Sequence, residues 1–135
     1  MKHFLLIATC FAVLAVTVVA QDDAEYQSWM KAAAATSGSL RKNLEAKNSD
    51  GAAADAKKLE EIFGHVHDYL SAKHADDAMK FAMAASTGFG QVAEQAASGK
   101  LDDASATLKT TTSTNCGGCH AAHREKAADG SWKIK

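Results

Sequence analysis

Apolar and small side chains recur every three or four residues along most of the chain, and this period is typical of amphipathic helices. The pattern predicts four helices, over residues 23–46, 52–71, 76–97 and 102–126, followed by a short tail at 127–135. Turn-forming residues separate the helices; proline is absent and alanine is abundant, which favours helix. Four amphipathic helices with short connections predict an all-α fold, an antiparallel up-down-up-down four-helix bundle.

The first 20 residues have the pattern of a cleaved signal peptide. A short positive start precedes an apolar run over residues 4–19, and small residues stand at positions −3 and −1 before Gln21. An uncleaved anchor is the alternative, but the run is short for a span of about 20 residues and no positive cluster follows it. We therefore predict cleavage of residues 1–20, export to the periplasm without a stable membrane anchor, and one domain over residues 21–135.

Charge and cysteine content limit the expected partners of the protein and the uses of its cysteines. Of the 15 basic residues, Lys2 leaves with the signal peptide, so 14 remain against 16 acidic ones, a net charge of −2 with neutral histidines. Basic and acidic residues are interspersed, so no nucleic-acid partner is expected. Cleavage also removes Cys10, which leaves Cys116 and Cys119 and no further cysteine for a structural disulfide.

These two cysteines belong to the stretch Cys116-Gly117-Gly118-Cys119-His120, the C-x-x-C-H pattern of covalent haem attachment. Positions i, i+3 and i+4 share one face of a helix, so both cysteines can form thioethers with one porphyrin while His120 points at its iron. The two glycines are expected to keep the gap free of side chains. The second ring nitrogen of His120 is then free to donate to a carbonyl or a water.

Two other uses of a C-x-x-C pair are alternatives. A thioredoxin-like redox pair needs a βαβ setting, and the sequence has no strand pattern. A zinc site needs a second pair of ligands, and His123 would supply one ligand only. For an exported chain we predict instead a single covalent haem c, attached at Cys116 and Cys119, with His120 as the proximal iron ligand.

A haem motif at the C-terminal end of an exported, alanine-rich four-helix chain resembles the class II cytochromes c, the cytochrome c-prime family. Residues 116–124 are similar to the family's C-x-x-C-H-x-x-(aromatic)-R ending, and residues 26–30 are similar to the part of its first helix that holds the distal haem residue. The resemblance covers residues 23–126. It implies a distal position for Met30 and places Arg124 near the proximal histidine. The alternative role for Arg124 is to bind the last carbonyls of the helix.

Two positions depart from the family pattern. Gln27 stands where many relatives have an arginine near a haem propionate, and His123 replaces the usual aromatic residue. The propionate partner is therefore left open. His123 is not expected to bind the iron, because His120 already holds the proximal position.

The depth of Met30 in the bundle supports its assignment as the sixth iron ligand. Met30 lies about 9–10 Å from the start of the first helix, and His120 lies about 9 Å before the end of the fourth, so antiparallel packing brings them to matching heights. Met79 and Met83 are alternative ligands. The expected apolar wall of the haem comprises Val66, Tyr69, Leu70, Met79 and Met83.

The sixth ligand decides between two functions. By the resemblance, a methionine-ligated member carries single electrons between redox partner proteins, and a five-coordinate member binds nitric oxide or carbon monoxide. We predict the electron carrier and not an enzyme, since no distal histidine–arginine pair for peroxidase-type activity can be placed. Relatives often form homodimers through their first two helices, and the small residues 32–35 are compatible with that packing.

Overall fold

The computed structural model describes residues 23–135, and 81% of this part is helical. Its elements are α1 (Lys2–Glu45, described from Asp23 onward), α2 (Ser49–Ala72), α3 (Asp76–Ala97), α4 (Leu101–Thr110), a π-helical turn (Thr111–Cys116), α5 (Gly117–His123), β1 (Arg124–Lys126) and β2 (Trp132–Ile134). The predicted signal peptide, residues 1–20, lies outside the described residues. Within residues 23–135, no helix combines the length and the apolar character needed to cross a membrane.

The helices surround one apolar core. α2 packs against both α1 and α3, and α3 also packs against α4 and the π turn. The largest fully buried side chains are Leu40, Leu59, Leu70, Phe89 and Val92. Each such side chain contributes roughly 1.5–3 kcal/mol when it leaves water. Buried alanines fill most of the remaining contacts, and their small size lets the helix backbones approach closely. The predicted all-α fold with four helices is confirmed.

The three connections between the long helices are short and share one backbone feature. Each spans three residues and contains one left-handed residue: Lys47 (φ 56°), His74 (φ 55°) and Gly99 (φ 73°). In the first connection, the Asn48 side chain accepts a hydrogen bond from the Gly51 amide at 3.1 Å. This side-chain cap starts α2 at Ser49, three residues before the predicted start, because it satisfies an amide that the first turn leaves free.

The fourth predicted helix, 102–126, is not continuous. It is α4, the π turn and α5 in succession, and helical structure ends at His123. Hydroxyl side chains lie all along the break, and Thr112 Oγ1 donates to the Leu108 carbonyl at 2.9 Å. Such bonds compete with the backbone ladder, which gives a physical reason for the wider turn at this point. Helical periodicity alone does not reveal this competition.

The predicted tail at 127–135 is a β-hairpin instead. β1 and β2 pair antiparallel, with Arg124 opposite Ile134 and Lys126 opposite Trp132. The Asp129 carboxylate accepts from the Ser131 amide at 2.9 Å and from its hydroxyl at 2.7 Å, and Gly130 adopts φ 82°. The expectation that the chain has no strands is therefore wrong at its C-terminus, because three-residue strands are too short to show an alternating pattern.

α3 and the π turn meet at a contact that requires a glycine. A Cβ atom added to Gly88 would lie 2.8 Å from Thr111 Cγ2 and 3.1 Å from Thr111 Cβ, closer than carbon atoms normally pack. Gly88 and Thr111 are both buried. Gly88 therefore sets how closely α3 approaches the segment that leads into the C-x-x-C-H motif.

Replacing Gly88 by alanine should destabilise the protein by about 1–3 kcal/mol, because the added methyl group overpacks the contact with Thr111. The matched control is Gly38→Ala in α1, where a Cβ atom meets nothing within 4 Å. The control should gain up to about 1 kcal/mol from helix propensity. Urea unfolding measures both, and adding Thr111→Ala to Gly88→Ala should recover part of the loss. Equal effects of Gly88→Ala and Gly38→Ala would contradict the contact.

Candidate functional site

The residues of the C-x-x-C-H motif lie on one cavity of about 450 Å³, called the cysteine cavity below. Cys116 ends the π turn, and Cys119 and His120 follow in α5. Both cysteines are half-buried free thiols. Met30 of α1 lines the same cavity, so the structure brings Met30 together with Cys116, Cys119 and His120. The volume lies within the range of roughly 300–1,000 Å³ that is usual for cofactor sites.

The π turn decides which face of α5 carries the motif. A π-helical turn holds one residue more than an α-helical turn, and each residue corresponds to a rotation of about 100°. Cys116 therefore lies at a different angle around the helix axis from its place on an uninterrupted α-helix, and it lines the cysteine cavity. Thr111, the first residue of this turn, is buried against Gly88, and this contact positions the start of the turn.

The two glycines of the motif have different surroundings. A Cβ atom on Gly118 would lie 2.8 Å from Phe81 Cε1, whereas a Cβ atom on Gly117 would meet only the Thr112 carbonyl oxygen at 3.7 Å. Close packing against α3 therefore requires a glycine at position 118, while Gly117 lines the cysteine cavity. The missing side chain of Gly118 lets α5 pack directly on the Phe81 ring of α3.

The predicted haem wall is partly correct. Val66 and Leu70 line the cysteine cavity, but Tyr69 and Met79 do not. Met83 is 52% exposed and faces a groove between α3 and α4 on another side of the molecule, so it belongs neither to the wall nor to the candidate iron ligands. The wall also contains residues that were not predicted, among them Ala33, Ala34, Arg41, Phe63, Phe81 and Ala82.

Aromatic side chains cluster between the first turns of described α1 and the end of α2. Tyr26 stacks on Tyr69 with ring centroids 4.7 Å apart, and the Tyr69 hydroxyl donates to the Asp23 carboxylate at 2.6 Å. Trp29 stacks on His65 at 5.4 Å and lies outside the cavity lining. Burial, and secondarily the thiolate charge of Cys119, raises the pKa of Tyr26 to about 12. The Tyr26 phenol therefore stays neutral beside the cavity.

His120 and Arg124 are in direct contact. Arg124 Nη1 lies 3.3 Å from His120 Nδ1, and the guanidinium stacks on the Trp132 ring with its central carbon 3.6 Å from the centroid. Because a guanidinium only donates, Nδ1 accepts and the neutral ring carries its proton on Nε2. Arg124 therefore lies next to His120, and without haem Nδ1 accepts from its guanidinium. Burial, and then the Arg124 charge, lowers the pKa of His120.

A second cavity, of about 440 Å³, lies under the C-terminal hairpin and is called the hairpin cavity below. It shares four lining residues with the cysteine cavity: Tyr26, Met30, Ala34 and His120. Gln27 Nε2 reaches across from α1 and donates to the Trp132 carbonyl at 3.4 Å, which ties the hairpin to the bundle.

The two thiols are held in their neutral form. Burial, and then the charge of Cys119, raises the pKa of Cys116 from 9.0 to about 11, while the positive charge of Arg41 opposes the shift. Burial also raises the pKa of Cys119. Two half-buried thiols on one side of the cysteine cavity are compatible with the attachment edge of a porphyrin.

Comparison with protein-family models, with curated proteins and with solved structures gave no match. Among residues 23–135, no group of three or more histidine, cysteine, aspartate or glutamate side chains is placed to hold a metal ion. A haem needs fewer side chains than that, because the porphyrin supplies four of the iron's ligands. The donor set on the cysteine cavity, two thiols, one imidazole and one thioether, fits the predicted haem c.

The haem-free protein should lose stability as pH rises from 8 to 10. The unfolded Cys116 thiol ionises near its ordinary pKa of 9.0, while the folded thiol stays protonated until about 11, so rising pH favours the unfolded chain. Below pH 9 the contribution is fully present. Unfolding in urea of protein made without haem attachment measures the slope, and Cys116→Ala should remove more of it than Cys119→Ala. A slope unchanged in Cys116→Ala would contradict the raised pKa.

Proposed function

We propose that this protein is an exported, mono-haem c-type cytochrome of the class II kind that carries single electrons between redox partner proteins. The observation that carries the proposal is the cysteine cavity, on which Cys116, Cys119 and His120 meet Met30 from the opposite helix. A motif placed by chance would not be expected to face an apolar cavity with a second candidate iron ligand across it. The resemblance to class II cytochromes c rests on the same residues.

The antiparallel bundle is part of the proposal. The connections between α1, α2, α3 and α4 are three residues long, and each of these pairs of neighbours in sequence is packed in space. Such short links favour antiparallel neighbours. An up-down-up-down order brings the start of mature α1 to the end of the bundle that holds α5. This order accounts for Met30 and His120 on one cavity.

Each residue of the site then has a defined task. Cys116 and Cys119 would hold the porphyrin edge through thioethers, His120 would bind the iron through Nε2, and Met30 would supply its thioether sulfur as the second protein ligand. The haem iron supplies the one-electron chemistry, and the apolar walls exclude water from it. A methionine ligand and a low-polarity site both favour the ferrous state and raise the reduction potential.

Arg124 has to adjust when His120 binds iron. For Nε2 to become a ligand, its proton must move to Nδ1 or to solvent, and a protonated Nδ1 no longer accepts from Arg124. We expect the guanidinium to keep its stack on Trp132 and to lose its bond to Nδ1, which can then donate to water. The alternative role of Arg124, binding the last carbonyls of α5, is less well supported because Arg124 is already in extended backbone at β1.

A gas-binding function is the second candidate. Met30 is half-buried, and the neighbouring wall positions Ala33 and Ala34 are small, so a displaced Met30 side chain would leave room for nitric oxide or carbon monoxide at the sixth position. The resemblance to class II cytochromes c is also the basis on which we propose a periplasmic location, redox partner proteins and a homodimer through the first two helices. Weak peroxidase-type activity has no distal histidine–arginine pair to support it on the cysteine cavity.

Haem should be covalently attached in protein exported with its signal peptide. Acid–solvent extraction of the denatured protein should leave the haem on the polypeptide, because two thioethers resist that treatment. The Cys116→Ala/Cys119→Ala variant should lose it. Complete extraction of haem from the wild type would refute thioether attachment and, with it, the proposed function.

Met30→Ala should convert low-spin, six-coordinate haem to a high-spin form that binds carbon monoxide. The reason is that alanine offers no sulfur to the sixth position. Visible absorption spectra of the ferric and ferrous protein measure the change, and the wild type should show the weak near-red band of methionine-ligated ferric haem. Met83→Ala is the control, because Met83 faces away from the cavity and its loss should leave the spectrum unchanged. A wild type that is already five-coordinate would favour the gas-binding candidate.

A further inference from the structure

The two cavities at the haem end meet along the line of candidate iron ligands. Met30 and His120 line both cavities, together with Tyr26 and Ala34, whereas Cys116 and Cys119 line only the cysteine cavity. An iron held between Met30 and His120 would therefore lie at the boundary of the two. The cavities are then two halves of a single site, with the cysteines on one side of the iron.

The arrangement of substituents on the porphyrin indicates which part of the haem would occupy the hairpin cavity. The two vinyl groups that form thioethers lie on one side of the ring, and the two propionates lie on the opposite side. With the thioethers at Cys116 and Cys119, the propionates extend past the iron and into the hairpin cavity. A carboxylate taken out of bulk water needs a cation or hydrogen-bond donors close by.

The hairpin cavity carries the charges that carboxylates require. Three cationic side chains line it, Lys31 from α1 and Arg124 and Lys133 from the hairpin, and no lining residue in the described part of the chain is acidic. Lys31 forms no ion pair within residues 23–135. Lys133 forms an exposed ion pair with Glu125 at 3.1 Å, which can rearrange at little cost.

We propose that the hairpin cavity is the propionate site of the haem, with Lys31 and Lys133 as the cations that hold the two carboxylates and Trp132 as the wall beside them. The inference rests on the proposed function, since it requires a haem attached at Cys116 and Cys119. It gives the propionates cationic partners, a role that the uncharged Gln27 side chain cannot fill. Gln27 instead fastens the hairpin by donating to the Trp132 carbonyl.

Arg41 is the competing cation, and its position argues against it. Arg41 lines the cysteine cavity, and its positive charge acts on the Cys116 thiol. It would therefore lie on the vinyl side of the porphyrin ring. Arg124 contributes charge to the hairpin cavity, but its guanidinium lies on the Trp132 ring. Lys31 and Lys133 are exposed, flexible and approach from two different elements, so each can reach a separate carboxylate.

The test compares haem-loaded wild type with Lys31→Gln, Lys133→Gln and the double variant, each measured for reduction midpoint potential from pH 4 to pH 9. Loss of a cation beside a propionate favours the ferric form and so lowers the midpoint potential. It also makes the propionate harder to ionise, so the pH-dependent fall in potential should move to higher pH. Lys58→Gln, an exposed change of the same charge on α2 outside both cavities, is the control and should change neither quantity to the same extent.

A second measurement follows the hairpin itself. Amide hydrogen exchange over residues 131–135 should be slower in the haem-loaded wild type than in the double variant, because the lysines tie the hairpin to the carboxylates. Lys31→Arg together with Lys133→Arg should restore both the potential and the protection. The propionate site is elsewhere if haem stays covalently bound, the double variant has the same midpoint potential as Lys58→Gln, and its hairpin amides exchange as slowly as those of the wild type. Haem that is not covalently bound in the wild type would instead overturn the proposed function.

Discussion

The close approach of α3 to the segment that carries the haem motif is the constraint on which the candidate site depends. Gly88 admits Thr111 at the start of the π turn, and Gly118 admits the Phe81 ring two turns later. Neither glycine is in a turn. At both points an added Cβ atom would overlap a side chain of the facing segment, Thr111 at Gly88 and the Phe81 ring at Gly118, so that side chain would have to shift.

The π turn combines local and long-range causes. Thr112 and its neighbours offer hydroxyl donors to the preceding carbonyls, which weakens the regular ladder, and Thr111 is buried only because α3 has no side chain opposite it. The result is a wider turn that ends at Cys116, the first residue of the motif. Inserted turns of this kind are frequent at functional sites, where they redirect side chains without ending the helix.

The C-terminal hairpin closes the site from the other side. Its two short strands would have little stability alone. They are held by the stack of Arg124 on Trp132 and by the bond from Gln27 to the Trp132 carbonyl, so the hairpin depends on the same helix that supplies Met30. A segment that looks like a tail in sequence thereby becomes a wall of the second cavity.

The sequence by itself determined the helices, their approximate limits and the residues with candidate chemistry. Each of these is local: helical period is visible within one segment, and the spacing of Cys116, Cys119 and His120 is contained within five consecutive residues. The position of Met30 level with His120 was also predicted from its depth along the first helix, and both residues line the cysteine cavity. Haem attachment and electron transfer stay predictions.

Only the tertiary structure decided which face the motif presents, which side chains form its wall and what the last residues do. These properties depend on contacts between residues far apart in sequence, such as Gly88 with Thr111 and Gln27 with Trp132. Met83 shows the difference. It has helical spacing and the right composition for a haem wall, yet it is exposed, because the rotation of a helix about its axis is set by its packing partners and not by its own periodicity.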